Sequence, residues 1–233
     1  MIAKESIQQI EPLLKTRAFL YDFLRRTFLQ EPTLEFLASI KDSRLFENFP
    51  FEEDQEEIAS GVKQILAFTK EKDVTSPEVF NSLHWDYTRM FIGPDRLPAP
   101  LWESAYMNDD RLVFQEQTLV VRRVYLKYQF LPERFKQEPD DHLGLELDFM
   151  YRLCELTLES LQQENYTKLK EVLIDQKAFL QDHLLKWVPE LAKNIIKSTN
   201  LAFYEGIAKV LNGYLALDLE ALEELLDINY EVS

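Results

Sequence analysis

The sequence predicts an all-α protein, and three observations carry that prediction. Apolar residues recur at three- and four-residue steps along most of the chain, no segment alternates convincingly at period two, and only 5 glycines occur in 233 residues. Few glycines leave few tight turns, which argues against a many-stranded sheet. The chain is long enough to bury a substantial core, and at 46% hydrophobic it has the residues to fill one. No repeat of 20–50 residues is present, so the simplest architecture is a multi-helix bundle with residues 1–233 as a single domain.

The elements follow in order. Ile10, Leu13, Leu14, Arg17, Ala18, Tyr21, Leu24 and Phe28 form a stripe that predicts a helix over 6–29. "EPTLEFLASI" starts a second helix, with Pro32 expected in its first turn. "EEIASGVKQILAFTKEK" is a third, its leading acids suited to the positive end of the helix dipole. "SPEVFNSLHWDYTRMF" opens with Ser76 as N-cap and Pro77 at the first helical position. A loop at 92–104 follows, where Gly93, Pro94, Pro98 and Pro100 forbid a regular helix. Helical spacing resumes over 108–130, and a second loop at 131–141 leads into "HLGLELDFMYRLCELTLESLQQENY". Two further helical segments are expected to be interrupted near Pro189, and a last helix closes the chain.

Charge excludes some classes of partner. With 41 acidic and 26 basic residues the net charge is −15, which repels nucleic acid and anionic membrane and attracts cationic partners. From Asp218 onward the tail carries Asp218, Glu220, Glu223, Glu224, Asp227 and Glu231 and no base. No apolar run reaches the 18 or so residues of a membrane span, and the N-terminal stretch has no apolar core of a secretory signal. A cytoplasmic protein is the simplest expectation.

The segment "EPDDH", residues 138–142, concentrates a proline, three carboxylates and one of three histidines just before an apolar helix. On composition it reads as a proline loop followed by an N-cap supplied by Asp140 or Asp141. Catalytic and metal readings find little support. His142 and Glu146 are two ligands where a site needs three or four. The single cysteine, Cys154, lies about 18 Å from His142 along one helix, too far for a Cys/His pair. No phosphate-cradling glycine loop and no GxSxG elbow occurs. No cofactor and no catalytic residue is assigned. The twin arginines Arg122-Arg123 stand mid-chain and are expected on a solvated helix face. The other rich stretch is "WDYTRMFIGPDRLPAPLWESAY", residues 85–106. Tyr87, Met90 and Phe91 share a helix face, and Leu101 and Trp102 follow a proline-stiffened loop expected at the surface. An apolar surface on so acidic a protein suits a peptide that is both apolar and cationic.

"YTRMFIGPDRLPAPLWESAY", followed some thirty residues later by "EPDDHLGLELDFM", resembles the TorD/DmsD family, cytoplasmic chaperones for the maturation of twin-arginine-exported molybdoenzymes of the dimethyl-sulfoxide-reductase type. "FLQDHLLKWVPELAKNI" and "AFYEGIAKVLNGYL" extend the likeness, which covers roughly residues 80–215. The resemblance implies the TorD-like all-helical fold and a binding function without catalysis. The protein would hold the twin-arginine signal peptide of a molybdoenzyme back from export until its cofactor is inserted. It would act as monomer or homodimer, with the Tat translocon as a further partner. The loops near 92–104 and 131–141 would form the binding region. By position, the peptide-binding residues implied are Tyr87, Met90, Phe91, Leu101, Trp102, Tyr106, Pro139, Asp141 and His142. Glu103 and Glu138 join them as carboxylates able to meet the peptide's arginines. His142 is expected to orient Asp141 or to bond peptide backbone. The alternatives are a nucleotide-dependent or hydrolytic enzyme using His142 and Asp141, and a helical adaptor acting through the acidic C-terminal helix.

Overall fold

The computed structural model describes residues 9–93, 96–108, 113, 116–131 and 138–230. Residues 94–95 of the first predicted loop, 132–137 of the second, 6–8 of the helix predicted over 6–29, and 109–112 and 114–115 of the helix predicted over 108–130 lie outside them. The described chain is helical: α1 (Glu11–Phe28), α2 (Leu34–Asp42), α3 (Glu56–Glu71), α4 (Pro77–Phe91), α5 (Glu116–Lys127), α6 (Leu143–Gln162), α7 (Tyr166–Phe179), α8 (Leu185–Ser198) and α9 (Ala202–Asp227). An isolated antiparallel bridge joins Trp102 to His142.

Local chemistry explains most helix starts. Ser76 accepts the Val79 N–H, with Pro77 in the first turn, as the sequence predicts. Thr33 accepts the Phe36 N–H, so α2 begins after Pro32 and not around it. Pro32 disfavours helical backbone in the residue before it, and the threonine oxygen supplies the better boundary. Gln55 caps α3 through Oε1, which accepts the Glu57 and Ile58 N–H groups. The break predicted near Pro189 falls instead at Leu180–Leu184, a five-residue π turn, and Pro189 stays inside α8. Proline removes one donor from the helical ladder, and the wider turn upstream absorbs that disturbance.

The chain divides into two compact units. The first comprises residues 1–29, 102–186 and 216–233, and the second residues 30–101 and 187–215. In the first unit α1 pairs chiefly with α6, and α7 packs beside α6. Gly144 makes the close approach possible. A Cβ there would stand 2.8 Å from the backbone N and Cα of Leu29. Leu20, Tyr21, Leu24, Leu147, Met150, Leu153, Val172 and Leu173 fill this interior, with an aromatic group of Tyr125, Phe149 and Phe179 whose ring centroids lie 4.8–4.9 Å apart in sequence. A buried ion pair runs through it. Arg17 Nε donates to Asp218 Oδ1 at 2.6 Å, Tyr21 Oη donates to Asp218 Oδ2 at 2.7 Å, and Arg17 Nη2 donates to Gln176 at 2.7 Å.

The second unit is built from α2, α3, α4 and the portions of α8 and α9 assigned to it. Ile58, Val62, Ile65, Leu83, Met90, Trp187, Leu191, Ile207 and Leu211 are its core. α3 and α9 meet backbone to backbone: a Cβ on Gly61 would lie 2.5 Å from the Gly206 carbonyl oxygen, and one on Gly206 would lie 2.6 Å from that of Gly61.

Candidate functional site

The EPDDH segment is a clasp built from backbone and carboxylate bonds. His142 N–H donates to the Pro139 carbonyl at 3.1 Å, closing a turn. Trp102 pairs antiparallel with His142, and the Glu103 N–H donates to the Asp141 carbonyl at 2.9 Å. Asp140 and Asp141 are the two central residues of that turn, and their side chains take different partners. Asp140 receives Arg122 Nε in an ion pair. Asp141 accepts the Ser104 N–H at 2.9 Å and the Thr118 hydroxyl at 2.7 Å. Both carboxylates are buried.

Four sequence expectations change here. The N-cap of α6 is His142, whose Nδ1 accepts the Gly144 N–H at 3.1 Å, and neither aspartate. Each aspartate already holds stronger partners, which leaves the imidazole to satisfy the helix end. His142 therefore does not orient Asp141 through that nitrogen. It packs edge-on to the Trp102 indole, with ring centroids 5.7 Å apart. Of the twin arginines, only Arg123 is on a solvated face. Arg122 is half-buried, because the Asp140 carboxylate draws it in. Leu101, expected at the surface, is 2% exposed, since the Ala99 N–H bonds back to the Met90 carbonyl and folds the proline loop onto α4.

The candidate residues thus fall into two sets. Trp102, Glu103, Tyr106, Glu138, Pro139, Asp141 and His142 all belong to the first unit, and the clasp brings most of them together. Trp102 is half-buried and its indole N–H donates to Glu138 Oε1 at 3.1 Å. Glu138 and Tyr106 are half-buried, whereas Pro139, Glu103, Asp141 and His142 are buried. Tyr87, Met90, Phe91 and Leu101 belong to the second unit and are buried there. The Tyr87 and Phe91 rings meet edge to face at 4.7 Å, and both lie against Tyr204.

The sequence reading passed over His183. It sits in the π turn, 5% exposed, with Nδ1 2.9 Å from Glu103 Oε2, and Glu103 is 2% exposed. Its scarcity, one of three histidines, was a usable signal. Its partner, eighty residues away in sequence, was not.

The arrangement holds carboxylates in place. Cys154 is buried, and burial pushes its thiol up to about 12, so almost none is thiolate near neutrality. Among the described residues the buried Ser104 hydroxyl meets no hydrogen-bond partner, and so no base that would activate it. Tyr125 sits beneath the clasp and donates its hydroxyl to the Asp140 carbonyl at 3.0 Å. Burial raises its phenol above the ordinary range, and the charges of Glu146, Asp140 and Asp141 raise it further. No group of three or more His, Cys, Asp or Glu among the described residues could hold a metal ion. No helix there is long and apolar enough to cross a membrane.

The family model described as nitrate reductase delta subunit matches residues 52–193, which is well over half of the chain and includes the proline loop, the clasp and the π turn. Chaperone protein TorD of Vibrio cholerae serotype O1 (classical Ogawa strain O395) is 24% identical over 221 residues, covering 94% of this chain and 98% of that protein. Chaperone protein TorD of Aliivibrio salmonicida is 25% identical over 206 residues, 88% of this chain and 94% of that protein. A probable Tat proofreading chaperone DmsD of Haemophilus influenzae is 29% identical over 122 residues, 52% of this chain and 53% of that protein. These relatives are named as chaperones, and none as an enzyme. The chain belongs to the nitrate reductase delta subunit family, alongside the TorD and DmsD chaperones.

Proposed function

We propose that this protein is a cytoplasmic maturation chaperone that binds the twin-arginine signal peptide of a dimethyl-sulfoxide-reductase-type molybdoenzyme and retains it until cofactor insertion and assembly are complete. The observation that carries the reading is the Trp102 edge. A half-buried indole stands against His142 and is tied to the half-buried carboxylate of Glu138. That edge offers an apolar face and an anionic rim within one residue's reach, which is what an apolar leader with adjacent arginines needs. The carboxylates divide by task. Glu138 meets the peptide's guanidinium groups at the rim. Asp141, Glu103 and Pro139 hold the edge in shape, and Tyr106 extends it. A role in binding for Tyr87, Met90, Phe91 and Leu101 rests on the resemblance alone.

Calorimetric titration with a synthetic twin-arginine leader tests this. Trp102→Ala is expected to weaken binding at least tenfold with a thermal midpoint within a few degrees of wild type. Glu138→Gln is expected to weaken it about threefold to tenfold and to flatten its salt dependence. A leader with alanines in place of both arginines should lose most of its affinity. Wild-type affinity in both variants would remove Trp102 and Glu138 from the site.

A further inference from the structure

We infer that His183 is a positioning residue for this edge: the π turn carries its ring to the buried Glu103 carboxylate, and through Glu103 it sets where Trp102 stands. This rests on the chaperone reading above, because it concerns the same edge.

The Trp102–Tyr106 segment is held from two directions within the first unit. From one direction the clasp takes its backbone, with the Glu103 N–H on the Asp141 carbonyl and the Ser104 N–H on the Asp141 carboxylate. From the other, His183 Nδ1 takes the Glu103 side chain at 2.9 Å. Both members of that pair are buried, and a buried carboxylate without a partner is costly, so Glu103 cannot swing away from the imidazole. Trp102 directly precedes Glu103, which leaves its backbone no freedom that the pair does not also grant.

The turn that accommodates Pro189 also carries His183. Leu180–Leu184 is a π turn, a rare form that marks a widened ladder and is common at functional sites. It begins directly after Phe179, whose ring lies 4.7 Å from the His183 ring. Phe179 in turn packs 4.9 Å from Phe149, and Phe149 packs 4.8 Å from Tyr125, the residue that supports the Asp140 carbonyl. The same aromatic group therefore backs the imidazole on one side and the clasp on the other. The imidazole ring is fixed before it meets Glu103, so it sets the carboxylate's position and does not follow it.

The test uses the full chain, a synthetic twin-arginine leader, and hydrogen exchange at the Glu103 and Ser104 amides. His183→Ala is expected to speed exchange at both amides at least tenfold and to weaken peptide binding at least tenfold, while the amides of α7 keep wild-type protection. His183→Asn, whose side-chain amide can still donate to Glu103, is expected to recover most of both losses. Glu103→Gln, close in volume to wild type, should move both readouts in the same direction by about threefold and serves if His183→Ala does not fold. Wild-type exchange or wild-type peptide affinity in His183→Ala overturns the inference, as does a His183→Asn variant no better than alanine. If the wild-type chain binds no twin-arginine leader, the chaperone reading fails, and the exchange arm still decides whether His183 positions the segment.

Discussion

The two units differ in what they bury. Asp86 is the one buried charged or non-aromatic polar residue described in the second unit. The first buries Arg17, Asp218, Gln176, Glu103, Ser104, Thr118, Asp140, Asp141, His142, Glu146 and His183. The second unit is held by apolar packing, which tolerates repacking when volume and pattern are kept. The first is held in part by a network whose members must all be satisfied at once, which favours one arrangement over its neighbours. The unit holding the candidate site is thus also the one whose interior is specified residue by residue.

Removing members of that network should therefore cost more than removing Asp86, in an order set by charge and seclusion. The largest effect is expected for Asp218→Ala, which strands the buried Arg17 guanidinium and should destabilise by about 4 kcal/mol in chemical denaturation. Asp141→Ala leaves the buried Ser104 N–H and Thr118 hydroxyl without acceptors and should cost about 3 kcal/mol, with peptide binding lost as the clasp opens.

A third probe reads the same interior through pH. Burial raises the Cys154 thiol from 9.0 to about 12, so the unfolded chain ionises first as pH rises. The stability this group contributes is fully present below about pH 9 and is lost between 9 and 12. Between pH 8 and 10.5 the wild type should lose about 2 kcal/mol more than Cys154→Ala loses over the same interval. Equal pH slopes for the two proteins would contradict the burial of the thiol. The smallest effect is expected in the second unit. Asp86→Ala removes an acceptor from the Thr199 hydroxyl and the Asn200 N–H, but both donors are only partly buried and can turn to water, so about 1.5 kcal/mol is expected. If Asp86→Ala costs as much as Asp141→Ala, the contrast between the units does not hold.

The same contrast explains what could be read in advance. The helices of both units were legible, since periodicity and capping residues such as Ser76 act locally. So was the crowding of rare residue types at 138–142. What could not be read was how that segment is used. Asp140 and Asp141 are adjacent and alike, and nothing local says that one meets Arg122 while the other takes Ser104 and Thr118. The N-cap went to His142 because those distant partners had claimed the aspartates. The burial of Leu101 likewise depends on a backbone bond to α4 that spacing does not reveal. The polar network was hidden because its partners lie far apart in sequence, as with Arg17 and Asp218, 201 residues apart.

At Gly61 and Gly206 the helices α3 and α9 touch without side chains between them. Such a seam has no rotamers with which to yield, so any larger residue displaces an entire helix. The two positions behave as one locus: once a first alanine has parted the rods, a second finds the space already made, and the paired replacement should be far milder than the sum of its halves.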